Sequence, residues 1–420
     1  MTDILDELQW RGLLAQHTDL DALREHLNSG PVTFYCGFDP TAPSLHHGHL
    51  VQILVMRHLQ LAGHRPLALV GGATGQIGDP RQSGERQLNP TEVVQGWTER
   101  LREQISRFLS FEGDNAAVMV NNLDWTSQMS AIDLLRGVGK HFRIGTMLAK
   151  DIVARRLASD EGISYTEFSY QVLQANDYLE LFRRYGCTLE TGGNDQWGNM
   201  IGGVDLIRKV DGSSTHVMTT PIITKADGTK FGKSEGGAIW LDPEMLSPYA
   251  FYQFWLQVAD DDVIRFLKIF TFLSREEIEA LEVEVAERAH QRAAQKALAE
   301  EMTRLVHGDA EYERVLAATE ALWGGGDLHA LDEATLAAAV ADLPRASVKL
   351  GEGTVVDALV DSGIEKGRGA ARRTVAAGGA YLNNVKVENE DAPIGAADAL
   401  AGNLALVRKG RRNLIVVELR

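Results

Sequence analysis

The sequence predicts an α/β protein: a parallel sheet interrupted by a helical insertion, then an all-α segment, then a small α+β module. Three observations carry this. Two β-like runs, Val32–Gly37 and Pro66–Gly72, flank a helix-compatible apolar run, Leu50–Leu61. Strand, helix and strand within about forty residues form a βαβ unit, and a parallel sheet follows. After Pro243 only helical periodicity continues, as far as Leu322. The last seventy residues return to short alternating elements.

In chain order, residues 1–30 read as helical, with apolar residues at helical spacing from Leu8 to Leu27. The glycines of Gly71–Pro80 recur every third residue and fail the G-x-G-x-x-G dinucleotide spacing. This stretch reads as a loop at the carboxyl edge of the sheet, where open α/β folds bind ligands. Residues 81–170 read as mostly helical. A βα pair follows at Thr188–Thr191 and Asp195–Val210, then a strand at His216–Thr220. Helices are expected at Tyr249–Val258, Asp261–Leu267, Arg275–Leu305 and Glu311–Leu322, and Gly324–Gly325–Gly326 breaks the pattern. Residues 327–350 read as a small helix and a linker containing Pro344. Beyond it, Val355–Val360 and Gly367–Ala376 are expected as helices, with Gly378–Gly379 capping the second. Ala380–Leu382, Leu404–Val407 and Leu414–Leu419 are expected as strands. The domain expectation is 1–243, 244–326, a linker 327–350, and 351–420.

Composition excludes several classes. With 44% hydrophobic residues and no apolar span of membrane length, the 420-residue chain reads as globular and not membrane-bound. The acidic start, Met1–Thr2–Asp3–Ile4–Leu5–Asp6–Glu7, lacks the order of a secretory signal. Two cysteines, Cys36 and Cys187, fit a reducing cytosol better than a disulfide framework, and no Cys/His cluster suggests a metal. A net charge of −16 argues against general nucleic-acid or DNA binding. Phosphate contact must come from local basic clusters. Lys366, Arg368, Arg372 and Arg373 form one; Arg408, Lys409, Arg411 and Arg412 form another, at an expected hairpin tip. Four charges on one turn repel each other, and an RNA backbone would relieve that.

Two motifs carry chemistry. His46–His47–Gly48–His49 opens the Leu50–Leu61 helix. Two histidines three apart at a helix start share a face beside free backbone N–H groups, an arrangement that attracts phosphate. Gly48 removes a side chain where a base or ribose could approach. Far along the chain, Lys225–Gly237 holds two lysines three apart among four glycines, as a loop able to close over a polyphosphate. It is not a P-loop, because Gly228 to Gly232 is one residue short and no helix follows.

The pair resembles the HIGH and KMSKS signatures of class I aminoacyl-tRNA synthetases, with Lys230–Phe231–Gly232–Lys233–Ser234 as the second. His47 stands for the usual isoleucine, and Phe231–Gly232 for Met-Ser. Tyr35–Cys36–Gly37–Phe38–Asp39–Pro40–Thr41 and Gly192–Gly193–Asn194–Asp195–Gln196–Trp197–Gly198–Asn199 further resemble the bacterial tyrosyl-tRNA synthetases, and the resemblance runs nearly end to end. It implies a Rossmann-like catalytic domain whose insertion makes a homodimer contact, and a C-terminal RNA-binding domain. It implies activation of L-tyrosine by ATP and transfer to tRNA(Tyr) in the cytoplasm, with Mg2+ arriving on ATP and no tightly bound cofactor.

The resemblance also implies site roles. Thr41 and His46 would meet the departing phosphates, with Lys230, Lys233 and Ser234 folding over them and Arg86 reaching in. Asp39, Gly48, His49, Gly193 and Asp195 would line the nucleotide. Asp79, Tyr170 and Gln174 would bind the substrate ammonium, Tyr35 and Asp177 its phenol hydroxyl, and Gln196 its carboxylate side. The two basic clusters would contact tRNA. Periodicity alone reads differently in places. Tyr170, Gln174 and Asp177, at i, i+4 and i+7, would be a solvated helix face opposite the stripe Phe168, Val172, Ala175, Leu179 and Phe182. Asn194 or Asp195 would be a helix N-cap as readily as a ribose ligand. Cys36 would pack in its strand. Rival readings are a tryptophan-specific relative, a non-catalytic RNA-binding paralogue, and a ligase acting on a free small molecule.

Overall fold

The computed structural model of the chain describes residues 3–81, 84, 88–229, 231–232, 238–341, 343–410 and 413–420. Contacts group the chain into two compact units, Met1–Leu246 with Val258–Leu298, and Ser247–Gln257 with Ala299–Arg420.

The first unit is built on a five-stranded sheet. Its strands are β1 (Thr33–Phe38), β2 (Arg65–Val70), β3 (Val118–Asn121), β4 (Cys187–Gly193) and β5 (His216–Thr220), in the order β3-β2-β1-β4-β5. Every pairing is parallel. β1 and β2 are nearly continuous in buried residues, as strands covered on both faces must be. The chain runs outward from β1 through β2 to β3, then returns to place β4 on the other side of β1. The order therefore reverses between β1 and β4, and side chains at the carboxyl ends of those two strands face a common crevice.

Two helices matter most for that crevice. One spans His47–Leu61, between β1 and β2; the other, Tyr165–Tyr185, precedes β4 and closes on Gly186 in the left-handed conformation. A core cluster that includes Tyr35, Leu67, Trp125, Val172, Tyr178 and Leu206 joins the sheet to the second helix. Inside the insertion, Arg156 pairs with Glu167 at 2.8 Å, both side chains almost wholly buried.

The sequence reading differs from this architecture in several places. Residues 81–170 are mostly helical as expected, but β3 lies within them. Its Val-Met-Val-Asn run is only four residues long, too short to show a period. The expected helix Arg275–Leu305 is two, Arg275–Arg288 and Ala293–His307, broken where Arg292 takes a positive φ. Contacts also divide the segment 244–326, because the helices of 258–298 group with the sheet. Arg11 ties them there, donating to the carbonyls of Lys268, Thr271 and Leu273 at 2.8–3.0 Å.

The second unit holds helices at Pro248–Leu256, Asp309–Thr319, Val355–Asp361 and Arg368–Ala376, and a second sheet. Its strands are β6 (Arg345–Val348), β7 (Ala380–Leu382), β8 (Val385–Lys386), β9 (Leu404–Lys409) and β10 (Asn413–Leu419), ordered β6-β10-β9-β7-β8. β6 corrects the linker expected at 327–350. Residues 345–348 pair in parallel with β10, and Ala346 and Val348 join the small core. Proline at 344 marks the strand start. The β9–β10 hairpin forms as expected, Lys409 opposite Asn413.

Candidate active site

A cavity of about 790 Å³ opens at the carboxyl ends of β1 and β4. Lining it are Tyr35, Asp39, Thr41, His46, Gly48, His49, Asp79, Tyr170, Gln174, Asp177, Gly193, Asp195 and Gln196, all of them expected from the sequence. Residues from four distant stretches thus meet in one place. Lys230, Lys233, Ser234 and Arg86 lie outside the described residues.

The histidine motif is built by its own hydrogen bonds. His46 is the N-cap of the His47–Leu61 helix: its Nδ1 accepts from the Gly48 N–H at 3.0 Å, and His49 Nδ1 accepts from the His46 N–H at 3.2 Å. The His47 N–H is taken by the Ile239 carbonyl at 3.0 Å. These groups are therefore occupied, contrary to the free backbone N–H groups expected at this helix start. The reciprocal cap has another consequence. Each ring accepts at Nδ1, so a neutral imidazole carries its proton at Nε2. The two rings stack with centroids 4.0 Å apart. Burial, then the neighbouring His46 and His47, holds His49 well below its ordinary pKa, so it is neutral. Gly48 serves the cap first, since a Cβ there would lie 2.9 Å from the His46 ring.

The first motif also touches the edge of the second. His47 Nε2 lies 3.1 Å from the Phe231 carbonyl oxygen, and the two rings meet edge-on at 5.4 Å. Phe231 is itself buried against Phe266 of the Asp260–Phe270 helix. Gly232, at φ +78, leaves no room for a side chain, for a Cβ would sit 1.9 Å from the His47 ring.

The Tyr165–Tyr185 helix turns its polar face inward, which corrects the solvated-face reading drawn from periodicity. Tyr170 and Asp177 are 6% and 2% exposed. The Tyr170 hydroxyl donates to Asp39 Oδ2 at 2.7 Å, and Thr74 donates to Oδ1 at 2.6 Å. Asp39, expected at the nucleotide, is thereby tied to the floor beneath Tyr170. Asp177 accepts from Trp125 Nε1 at 2.8 Å and from Asn122 Nδ2 at 2.9 Å. Gln174 donates to Glu190 Oε1 at 3.2 Å. Asp79 accepts from Gln196 at 3.0 Å and Asn199 at 3.1 Å. Asp195 is exposed at the cavity mouth, in the middle of the short turn Asn194–Gln196; the N-caps there are Gly193 for the turn and Gln196 for the helix Trp197–Asp211, and neither Asn194 nor Asp195 caps either one, so the N-cap alternative lapses.

The carboxyls are unusually basic. Burial raises Asp79 to about 6, Asp177 to about 7 and Glu190 to about 8; hydrogen bonds to each only partly oppose it. Burial likewise raises Tyr35 and Tyr170 well above the phenol range. A cation bound among such groups would favour their ionised forms. Cys36 packs in β1 as expected, and burial pushes its thiol up to about 12, which makes it inert. Among the described residues, no cluster of three or more His, Cys, Asp or Glu could hold a metal ion.

Sequence reasoning missed Glu190, Asn122 and Trp125. A lone acid inside the Cys187–Gly193 strand was a signal for Glu190. The other two follow the unrecognised β3.

In the second unit the two basic clusters come together. Lys409 pairs with Glu365 at 2.8 Å, and Glu365 is held below the usual carboxylate range by Lys409 and Thr374 first, with Arg373 adding to it. Arg372 pairs with Asp391 at 2.8 Å and Arg368 with Asp357. Arg408 lies over the Tyr381 ring at 4.7 Å. Local carboxylates thus relieve part of the repulsion expected to call for RNA. Lys366 and Arg373 are exposed; Arg411 and Arg412 lie outside the described residues.

The family described as "tRNA synthetases class I (W and Y)" matches residues 27–324. The chain belongs to that family. A "Tyrosine--tRNA ligase SYY-like C-terminal domain" matches residues 335–417. Over its whole length the chain is 62% identical to the tyrosine–tRNA ligase of Streptomyces coelicolor, covering 99% of that protein. Among solved structures it is similar to C-terminally truncated mitochondrial tyrosyl-tRNA synthetases. The Coccidioides posadasii protein gives a TM-score of 0.66 at 32% identity, and the Aspergillus nidulans protein 0.69 at 30%. Each comparison covers 75% of this chain, and 91% and 92% of those chains. Similarity to tryptophanyl-tRNA synthetases is at the level of fold, at 13% identity for the Encephalitozoon cuniculi protein. Among the described residues, no helix is long and apolar enough to cross a membrane.

Proposed function

We infer that this synthetase is a tyrosine–tRNA ligase: it joins L-tyrosine to ATP, forming tyrosyl-adenylate and pyrophosphate, then passes tyrosine to the 3' end of tRNA(Tyr). The observation that carries this is the end-to-end identity with curated tyrosine–tRNA ligases, at 61–62%.

The cavity supports a specific placement. The substrate ammonium lies among Asp79, Tyr170 and Gln174, its phenol hydroxyl between Tyr35 and Asp177, and its carboxylate beside Gln196. ATP lies over Gly48 and Gly193, with its ribose against Asp195 and His49. Thr41 and His46 face the leaving pyrophosphate, and Mg2+ arrives with the nucleotide. Lys230, Lys233, Ser234 and Arg86 complete the phosphate site. Carboxyl attack on the α-phosphorus needs little covalent help from the protein; positioning and charge stabilisation drive it. The Nε2–H edges imposed by the reciprocal cap suit that task, as fixed donors beside developing negative charge. The protein works in the cytoplasm as a homodimer and contacts tRNA through Lys366, Arg368, Arg372, Arg373, Arg408, Lys409, Arg411 and Arg412.

ATP–pyrophosphate exchange measured against each amino acid tests this. Exchange with tyrosine and tRNA(Tyr) charging are expected. Exchange with tryptophan alone would move the chain to the other branch of the family, and none at all would make it a non-catalytic paralogue.

A further inference from the structure

Glu190 has no place in the scheme above, yet it faces the same cavity. It stands opposite Tyr35 in the β1–β4 register, so both side chains leave the same face of the sheet. Gln174 reaches down from the helix above and donates to its Oε1. At this junction three buried polar atoms meet no hydrogen-bond partner: Tyr35 Oη, Glu190 Oε2 and Gln174 Oε1. Tyr35 and Glu190 are near enough that contact between them raises the Tyr35 titration and lowers that of Glu190, yet the separation is too loose to give Tyr35 Oη or Glu190 Oε2 a regular hydrogen bond.

We propose that Glu190, in its protonated form, is a positioning residue for recognition of the substrate hydroxyl: its O–H donates to the Tyr35 oxygen and leaves the Tyr35 O–H to donate into the cavity. This rests on the reading that tyrosine occupies the cavity with its hydroxyl between Tyr35 and Asp177. The chain of donors then runs one way, from Glu190 to Tyr35, to the ligand oxygen, to Asp177. An ionised Glu190 can only accept. It would capture the Tyr35 proton, and the ligand oxygen would lose its donor.

The surroundings favour the protonated acid. Tyr35 faces it from β1, and Gln174, Asp177 and Tyr178 from the helix, with Cys187 near it in β4; Cys36, next to Tyr35, leaves the other face of the sheet. Burial keeps the phenols and the thiol neutral; at Glu190 burial, with the Asp177 charge added, outweighs the Tyr35 contact and the Gln174 hydrogen bond, which favour ionisation.

The test is the tyrosine KM in ATP–pyrophosphate exchange across neutral to alkaline pH. In the wild type KM should climb ~3–10-fold as Glu190 ionises, the effect of one lost hydrogen bond, with kcat little changed. Glu190→Gln keeps the volume and the acceptor for Gln174 and carries an amide that always donates. Its KM should stay low over the same range. Glu190→Leu should raise KM at every pH. The ligand amine titrates alike in all three, so ratios between proteins are read. A folding defect does not mimic this pattern, since a merely structural Glu190 would not make the alkaline rise vanish in one variant. A Glu190→Gln profile that climbs with the wild type overturns the inference alone. Absence of tyrosine-dependent exchange in the wild type overturns the site reading and the inference together.

Discussion

Replacing Trp125 with Phe probes the cavity floor without touching the ligand. Trp125 Nε1 donates to Asp177 Oδ1 at 2.8 Å, and Asn122 holds the other oxygen. Burial raises Asp177 to about 7, and these two donors are what oppose it. An N–H bond to a carboxylate contributes ~1.5–3 kcal/mol, and one pH unit corresponds to about 1.4 kcal/mol. Losing the indole donor should therefore lift the Asp177 ionisation by ~1–2 pH units. Phe keeps most of the ring packing, including the face under Arg184. The readout is tyrosine kcat/KM against pH. Its acid limb, set by ionised Asp177, should move to higher pH by that amount, and at pH 7 the rate should fall ~5–50-fold as the ionised fraction drops. Stability supplies a second reading. A carboxyl whose folded pKa lies above its unfolded value near 3.8 binds its proton more tightly when folded, so stability declines as pH rises from about 4 to about 7. The variant extends that decline, so its deficit should be larger at alkaline pH than at pH 5. An acid limb at the wild-type position would refute the coupling between Trp125, Asp177 and substrate.

Other outcomes follow from the same geometry. His46→Ala should cost ~10²–10³ in single-turnover adenylate formation while tyrosine binding changes little, as for loss of one fixed donor; unaltered turnover would remove His46 from the phosphate site. Tyr35→Phe should narrow discrimination between tyrosine and phenylalanine in exchange assays, since in the proposed placement the ligand hydroxyl loses one of its two partners. Glu167→Ala leaves the Arg156 guanidinium buried without its carboxylate, and urea unfolding should show a loss of ~3–5 kcal/mol. Removal of residues 343–420 should spare adenylate formation and abolish tRNA charging. The cut falls before β6 because that strand pairs with β10.

The parallel sheet was legible because its strands run apolar and alternate with a helix of the right length. β5 and β7 have the bounds read from the sequence. β3 and β6 were not legible: four residues each cannot establish a period, and their places are set by partners far away in the chain. The site divided in the same way. Motifs of local meaning, such as the histidine cluster, could be read directly. The inward face of the Tyr165–Tyr185 helix could not be told from a solvated one by spacing, because a cavity and the solvent select the same polar residues. Glu190 and Trp125 act through neighbours that only folding provides.

The tight approach of His47 to Gly232 means that two positions far apart in the chain compete for one volume. They should therefore drift together among relatives: bulk at 232 becomes admissible only where 47 is smaller than imidazole or turns aside. Gly232→Ser, crippling by itself, is expected to recover in part when His47→Ala accompanies it. The two signatures are bound to each other sterically, independently of the nucleotide we propose lies between them.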